Sequence, residues 1–377
     1  MTVNWTAYIL CAVGVAILLT LLIVPQVLHV SFKKGLFDRP NDRKIHKGTI
    51  PRLGGFAFLP VLLITLGLVL AIPSAISASG VAPDFFGWLP EILVLLAAMT
   101  IMFLTGLYDD LLGVKYGVKF MAQIFAAVLM VEAGGFICEY YDLLGISSTS
   151  MIIGKLITIF LIIYIINALN LIDGIDGLAA GLCVITLCFF GVVLYLEKMF
   201  ILSLISWTCA ATVAVFGVFN IFGSQERHTK IFMGDIGSLT MGVLISFLII
   251  AICDSSQAES AWMIKPIVLA LSPLVIPLLD VIRVFCYRII RHKSPFLPDK
   301  THIHHLMMAA GLHQRPVLAI LLAVQVAFLA LNLWLSYSFG INVILIIDVA
   351  LYAIGVISVC GIKSSAHFSE TKTTHIR

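Results

Sequence analysis

The residues of this chain predict an all-α integral membrane protein of about eleven transmembrane helices. Three observations carry that expectation. The 377 residues are 61% hydrophobic and only 11% charged, with a mean hydropathy of +1.10, so a soluble fold would lack the polar surface it needs. Apolar runs close to the roughly 20 residues of a membrane span recur along the whole length. Lys and Arg are concentrated in alternate connections between those runs.

The first run, about 7–30, is too long for a signal-peptide core. It also lacks a basic stretch before it and a small-residue cleavage site after it, so it counts as the first span. The others are expected at about 53–72, 90–107, 119–134, 152–172, 178–196, 201–222, 238–253, 263–285, 316–336 and 340–361. The ninth contains Pro266, Pro273 and Pro277, which break or kink a membrane helix, so this span is expected to bend. No repeat or flexible linker divides the chain, and residues 1–377 read as one membrane domain. The eight cysteines are scattered, mostly within apolar runs, and are expected to be buried thiols rather than a disulfide framework.

Orientation follows from the loops. Segment 31–52 holds Lys33, Lys34, Arg39, Arg43, Lys44, Lys47 and Arg52, whereas 73–89 holds no Lys or Arg. Lys115 and Lys119 then precede the fourth span, Arg227 and Lys230 the eighth, and Arg283 to Arg315 carries a further cluster; 135–151 and 254–263 carry none. The expected topology puts the N-terminus outside and the C-terminus in the cytoplasm. Asp109, Asp110, Asp173, Asp176 and Asp235 then share the cytoplasmic membrane face with His302, His304, His305 and the basic first loop. An acid at a bilayer boundary is costly, so several on one face mark a candidate active site.

Asp109-Asp110 close the third span at adjacent helical positions about 100° apart, so at most one faces a given ligand. The bland alternative is a solvated helix end paired with Lys115 and Lys119. The fifth span ends Asn167-Ala168-Leu169-Asn170-Leu171-Ile172-Asp173-Gly174-Ile175-Asp176-Gly177. Asn167, Asn170 and Asp173 recur every third residue on one helical stripe, and the glycines permit a tight turn. Such oxygen donors suit Mg²⁺ or Mn²⁺, an interhelical hydrogen-bond cluster being the alternative. Asp235, in Phe232-Met233-Gly234-Asp235-Ile236-Gly237-Ser238, is expected either to cap the eighth span or, beside that stripe, to bind a metal. Three histidines in Lys300-Thr301-His302-Ile303-His304-His305 suggest a basic loop that contacts anions, with a solvated loop or, without a cysteine near them, soft-metal ligands as the alternatives. The first loop either fixes topology or captures phosphate, with Gly54-Gly55 permitting close packing. Hard-cation ligands surrounded by cations at a bilayer edge point to phosphoryl transfer between a soluble phosphate donor and a lipid. A secondary transporter is the alternative of a different class, but its acids belong near the midplane.

Five stretches in order, DRPNDRKIH…PRLGG, GLYDD, NALNLIDGIDG, FMGDIGS and HIHH, resemble the polyprenyl-phosphate N-acetylhexosamine-1-phosphate transferase superfamily over roughly residues 10–340. The resemblance implies transfer of a sugar-1-phosphate from a UDP-N-acetylhexosamine to undecaprenyl phosphate at a bacterial cytoplasmic membrane, with release of UMP and a requirement for Mg²⁺ or Mn²⁺. By motif, Asp235 and Asn170 would hold the metal, Phe232 and Asp176 would surround the uracil ring, and Asp109, Asp110 and Asp173 would be the essential acids. Lys47 or Arg52 would be the basic substrate-binding position, and His302, His304 and His305 would lie near the sugar and phosphates. Pro51-Arg52-Leu53-Gly54-Gly55 and the His-Ile-His-His pattern place the chain on the WecA/TagO side, which takes UDP-GlcNAc, rather than on the muramoyl-pentapeptide side (MraY). The family analogy admits a homodimer, and no nucleic-acid partner is expected. The loop charges predict that green fluorescent protein fused after Arg377 fluoresces and alkaline phosphatase there is inactive; the opposite pattern would invert the topology.

Overall fold

The computed structural model describes residues 4–37, 50–76, 87–135, 150–253, 266–294 and 301–374. Among the described residues there are helices and no strands, and 11 helical segments are long and apolar enough to cross a membrane. In chain order these are α1 (Trp5–Lys34), α2 (Phe58–Ile76, entered through a 3₁₀ turn Gly54–Ala57), α3 (Leu89–Leu112), α4 (Tyr116–Ala133), α5 (Met151–Ile172), α6 (Leu178–Leu196) and α7 (Phe200–Phe222). They are followed by α8 (Gly234–Cys253), the broken pair α9 (Pro266–Leu271) and α10 (Val275–Ile290), a short helix α11 (Ile303–Ala309), α12 (Gln314–Leu335) and α13 (Ile341–Thr374).

The expected spans are all present, with shifted ends. The largest shift is in the last helix, which continues past residue 361 to Thr374. The eighth begins at Gly234 rather than 238, because its first turn is held by polar groups that hydropathy does not count. α8 is the axis of the bundle: Ile236 through Cys253 are all buried, and α3, α5, α6 and α9 pack around it. A helix apolar on every side is what a central position requires. α13, by contrast, buries 11% of its apolar window and lies at the periphery.

The ninth span bends at a 3₁₀ turn, Ser272–Leu274, which contains Pro273. A break inside a membrane leaves backbone groups that water cannot reach. Neighbouring spans supply the partners. Gln325 of α12 donates to the Ser272 carbonyl at 2.9 Å and accepts from the Ile276 N–H at 3.0 Å. Thr186 of α6 donates to the Pro273 carbonyl at 3.2 Å. Charge also enters the bundle where hydropathy gave no sign of it. Asp348 is buried inside α13 and accepts from Asn332 Nδ2 at 2.9 Å.

The seven described cysteines are free thiols, and Cys138 lies outside the described residues. Cys183, Cys209 and Cys253 are buried as expected, but Cys11, Cys286 and Cys360 sit on exposed faces of their helices. An apolar run has a lipid face as well as a core face, and composition does not separate them.

Gln325→Leu keeps the side-chain volume but leaves two buried backbone groups unsatisfied, at a cost of about 1–3 kcal/mol each. The variant is expected to melt well below the parent in detergent by scanning fluorimetry; an unchanged melt would mean that Gln325 does not stabilise the break.

Candidate functional site

The site is assembled on a stretch of backbone pairing between two segments far apart in sequence. Phe232 N–H donates to the Pro51 carbonyl at 2.8 Å, Gly54 N–H to the Phe232 carbonyl at 2.9 Å and Gly55 N–H to the Met233 carbonyl at 2.9 Å. Glycine is required on both sides. A Cβ on Gly55 would stand 2.1 Å from the Gly237 nitrogen, and Gly234, at φ +71°, would place one 2.0 Å from the Arg52 carbonyl. This pairing brings Arg52 beside the start of α8, where its charge acts on both Asp110 and Asp173.

The first turn of α8 is the centre of the acid cluster. Asp110, from the end of α3, accepts from the Asp235 N–H at 3.1 Å and the Ile236 N–H at 3.0 Å. Asp235 is therefore not the cap of this helix. It lies inside the first turn, and the cap comes from another span. The Asp235 carboxylate is left for other partners: Asn170 Nδ2 at 2.9 Å and the Lys119 ammonium. Asn170 also donates to Ser238 Oγ at 2.8 Å. Asp109 accepts from the Val114 N–H at 2.6 Å and from Lys119 at 3.2 Å, so Lys119 bridges Asp109 and Asp235. Asp109 and Asp110 thus do diverge as adjacent helical positions should, yet both reach Asp235, one through a lysine and the other through its backbone. Lys119, not Lys115, is the partner.

The α5 stripe divides. Asn170 joins Asp235, but Asn167 turns to α4, donating to Gln123 Oε1 at 2.7 Å in an interhelical hydrogen bond and to the Ile163 carbonyl of its own helix at 2.8 Å. Beyond α5 the chain turns at Asp173–Gly177. Gly177, at φ +82°, donates to Asn220 Oδ1 at 2.6 Å, and Asn220 donates to the Ile231 carbonyl at 2.8 Å, which ties the turn to the segment leading into α8. Asp176 forms an ion pair with Lys230. The Asp173 carboxyl is pushed up to about 7, first by desolvation and then by the charges of Asp235 and Asp176, with Arg52 opposing.

The expected His loop is a helix. His302 stands at the N-cap of α11, and its ring stacks on that of His304, centroids 5.8 Å apart. His304 is 1% exposed and packs on the α5 turn so closely that a Cβ on Gly174 would lie 2.1 Å from its Nε2. Burial, with the neighbouring His305 and His302, pulls its pKa down to about 3, so this ring is neutral. Asp280, wholly buried on α10, holds the motif in place: its Oδ2 meets His302 Nδ1 at 2.7 Å. Its Oδ1 accepts from the Ile303 N–H at 3.1 Å, Arg283 at 2.7 Å and the Tyr352 hydroxyl at 2.8 Å. Sequence reasoning assigned no role to Asp280, Tyr352, Asn220 or Gln123. The signal for Asp280 was a carboxylate and a cation at the inner end of a bent span, but nothing linear tied it to His302. Lys47 lies outside the described residues.

Among the described residues, no three His, Cys, Asp or Glu side chains form a ready metal cage. Asp235 and Asn170 do meet, through a hydrogen bond from Asn170 Nδ2, with the Lys119 ammonium on the other carboxylate oxygen. With the ammonium displaced and the amide oxygen turned inward, these two are few, oxygen-bearing ligands, a set that suits an ion such as Mg²⁺, which keeps several waters and completes its shell with phosphate oxygens.

The profile of glycosyl transferase family 4 matches residues 92–253, which include all five aspartates of the cluster but neither Arg52 nor the histidines. The undecaprenyl-phosphate alpha-N-acetylglucosaminyl 1-phosphate transferase of Escherichia coli (strain K12) is 29% identical over 314 residues, 82% of this chain and 79% of its own. The Yersinia pestis protein of the same name is 31% identical over 310 residues, 80% and 77% of the two chains. The probable undecaprenyl-phosphate N-acetylglucosaminyl 1-phosphate transferase of Bacillus subtilis (strain 168) is 33% identical over 324 residues, covering 83% and 81%.

Because the folded pKa of Asp173 lies above its ordinary 3.8, ionising it opposes folding. The stability it allows is complete at low pH and is lost as pH rises toward about 7. The melting temperature of Asp173→Asn, relative to the parent, should therefore climb between pH 5 and pH 8; a flat difference would sink this assignment.

Proposed function

Since the chain belongs to the polyprenyl-phosphate N-acetylhexosamine-1-phosphate transferase superfamily, we propose that it transfers N-acetylglucosamine-1-phosphate from UDP-N-acetylglucosamine to undecaprenyl phosphate, releasing UMP and starting a lipid-linked cell-envelope glycan. The observation that carries the proposal is the convergence of Asp109, Asp110, Asp173 and Asp235 with Lys119 and Arg52 at one end of a membrane bundle. A phosphate-bearing reactant and a lipid-borne one can meet there.

In the direct route, a non-bridging oxygen of the lipid phosphate attacks the β-phosphorus of the nucleotide sugar. A new P–O bond forms, the bond from that phosphorus to the bridging oxygen breaks, and the electron pair leaves with UMP. A phosphomonoester has a second pKa of about 6, so the acceptor is mostly dianionic at neutral pH and needs no strong base. That favours direct displacement over a covalent aspartyl intermediate. It also leaves Asp110 a positioning role, since both its oxygens are engaged with the start of α8. Lys119 and Arg52 supply positive charge near the departing UMP, while Phe232 and Asp176 flank the base and His302, His304 and His305 the sugar and phosphates. Asp235 and Asn170 would hold Mg²⁺ or Mn²⁺, whose contribution when bound is neutralisation of the diphosphate. The loop charges support a cytoplasmic site in the inner membrane, the side on which nucleotide sugars are made.

The test is transfer by purified protein from labelled UDP-N-acetylglucosamine to undecaprenyl phosphate, with and without Mg²⁺, beside UDP-N-acetylgalactosamine and UDP-N-acetylmuramoyl-pentapeptide. Metal-dependent formation of lipid-linked N-acetylglucosamine diphosphate is expected, and no transfer from any donor would overturn the proposal. Asp235→Asn should raise the Mg²⁺ concentration for half-maximal turnover by about 10-fold or more, or abolish turnover. Full activity at unchanged Mg²⁺ would remove Asp235 from the metal site.

A further inference from the structure

We infer that Asp280, held by Tyr352 of the last span, is a positioning residue for the reaction: it fixes the ring and the proton of His302. The inference rests on the transferase function proposed above. A carboxylate oxygen can only accept, so the 2.7 Å contact between Asp280 Oδ2 and His302 Nδ1 places a proton on Nδ1 and leaves Nε2 for the ligand. The other oxygen is occupied by three donors from three directions. The Ile303 N–H belongs to the first turn of α11, Arg283 to the same helix as Asp280, and Tyr352 to α13. Arg283 also donates to the Thr301 carbonyl at 2.6 Å, closing the approach to His302 from the preceding residue. Asp280 therefore sets where α11 begins and how its first histidine is turned.

The same contacts give α13 a function. Its helix is peripheral, yet Tyr352 reaches inward to a carboxylate that is 0% exposed. The hydroxyl restrains Oδ1, which leaves Oδ2 directed at the imidazole. Asparagine at 280 cannot reproduce this arrangement. Its single oxygen would stay with the three donors on Oδ1, and its NH₂ would then face Nδ1. His302 would have to accept there and carry its proton on Nε2.

Acting through His302 differs from merely stabilising the fold, and a double-variant cycle separates the two. Asp280→Asn and His302→Ala are each expected to lower kcat/KM for UDP-N-acetylglucosamine by at least about 10-fold, as loss of a group that orients a functional histidine does. The KM for undecaprenyl phosphate should not change. In the His302→Ala background, Asp280→Asn should add no further loss. Tyr352→Phe, which leaves the ring in place, should give a smaller loss that likewise vanishes without His302. It carries the test if Asp280→Asn does not fold. Losses that add in full in the His302→Ala background would overturn the positioning role, as would a Tyr352→Phe enzyme with unchanged kcat/KM. A parent protein that transfers from no nucleotide sugar would instead overturn the proposed function.

Discussion

The N-terminus of α8 is half-buried at the meeting point of several spans, and its backbone N–H groups have to find partners there. An α-helix begins with four such groups unpaired, and inside a membrane protein water is not a ready substitute. Asp110 answers for two of them from a different span. That single contact fixes the end of α3 against the start of α8. It also frees the Asp235 side chain from capping, so that Asn170 and Lys119 can gather on it. Because Lys119 also holds Asp109, three spans and the chain entering α8 close on one point. Asp109, Asp110 and Asp235 are tolerated because each is matched by a backbone N–H, an amide or an ammonium; an unmatched one would cost several kcal/mol.

Close backbone approach extends this centre outward. Gly54, Gly55 and Gly234 let residues 51–55 lie directly on residues 232–234, and Gly106 lets α3 lie on Ile236 with no room for a side chain between them. Gly174 does the same for His304. The residues that offer chemistry are thus embedded in the contacts that hold the bundle together. A substitution at Asp110 disturbs a helix start as well as a charge of the candidate site, whereas Asp173 and Asp176 sit on a turn and are structurally more separable.

Several polar residues shown by the structure had no linear signal. Asn167 and Asn170 are equivalent in periodicity, yet one faces α4 and the other α8, because two neighbouring helices divide a stripe that sequence treats as one. Gln325 and Asp348 lie inside apolar runs and are outvoted by their neighbours in any hydropathy window, although each answers a buried polar group. Thr301 to His305 looked like loop because its polar residues are dense, but the N–H of Ile303 found a carboxylate on another span and a helix could begin.

The sequence by itself determined the number and rough extent of the spans, a bend in the ninth span, the close packing of Gly54-Gly55, and the set of acids gathered at the candidate site. These follow from hydrophobicity, backbone conformation and charge, which are properties of each segment alone. The tertiary structure decided which partner each polar group takes: Asp110 rather than Asp235 as the cap of α8, Lys119 rather than Lys115 as the bridge, and Asp280 as the anchor of His302. Such choices depend on distances between residues more than 100 positions apart in some cases, as for Asp110 and Ile236. Only packing of the helices sets those distances.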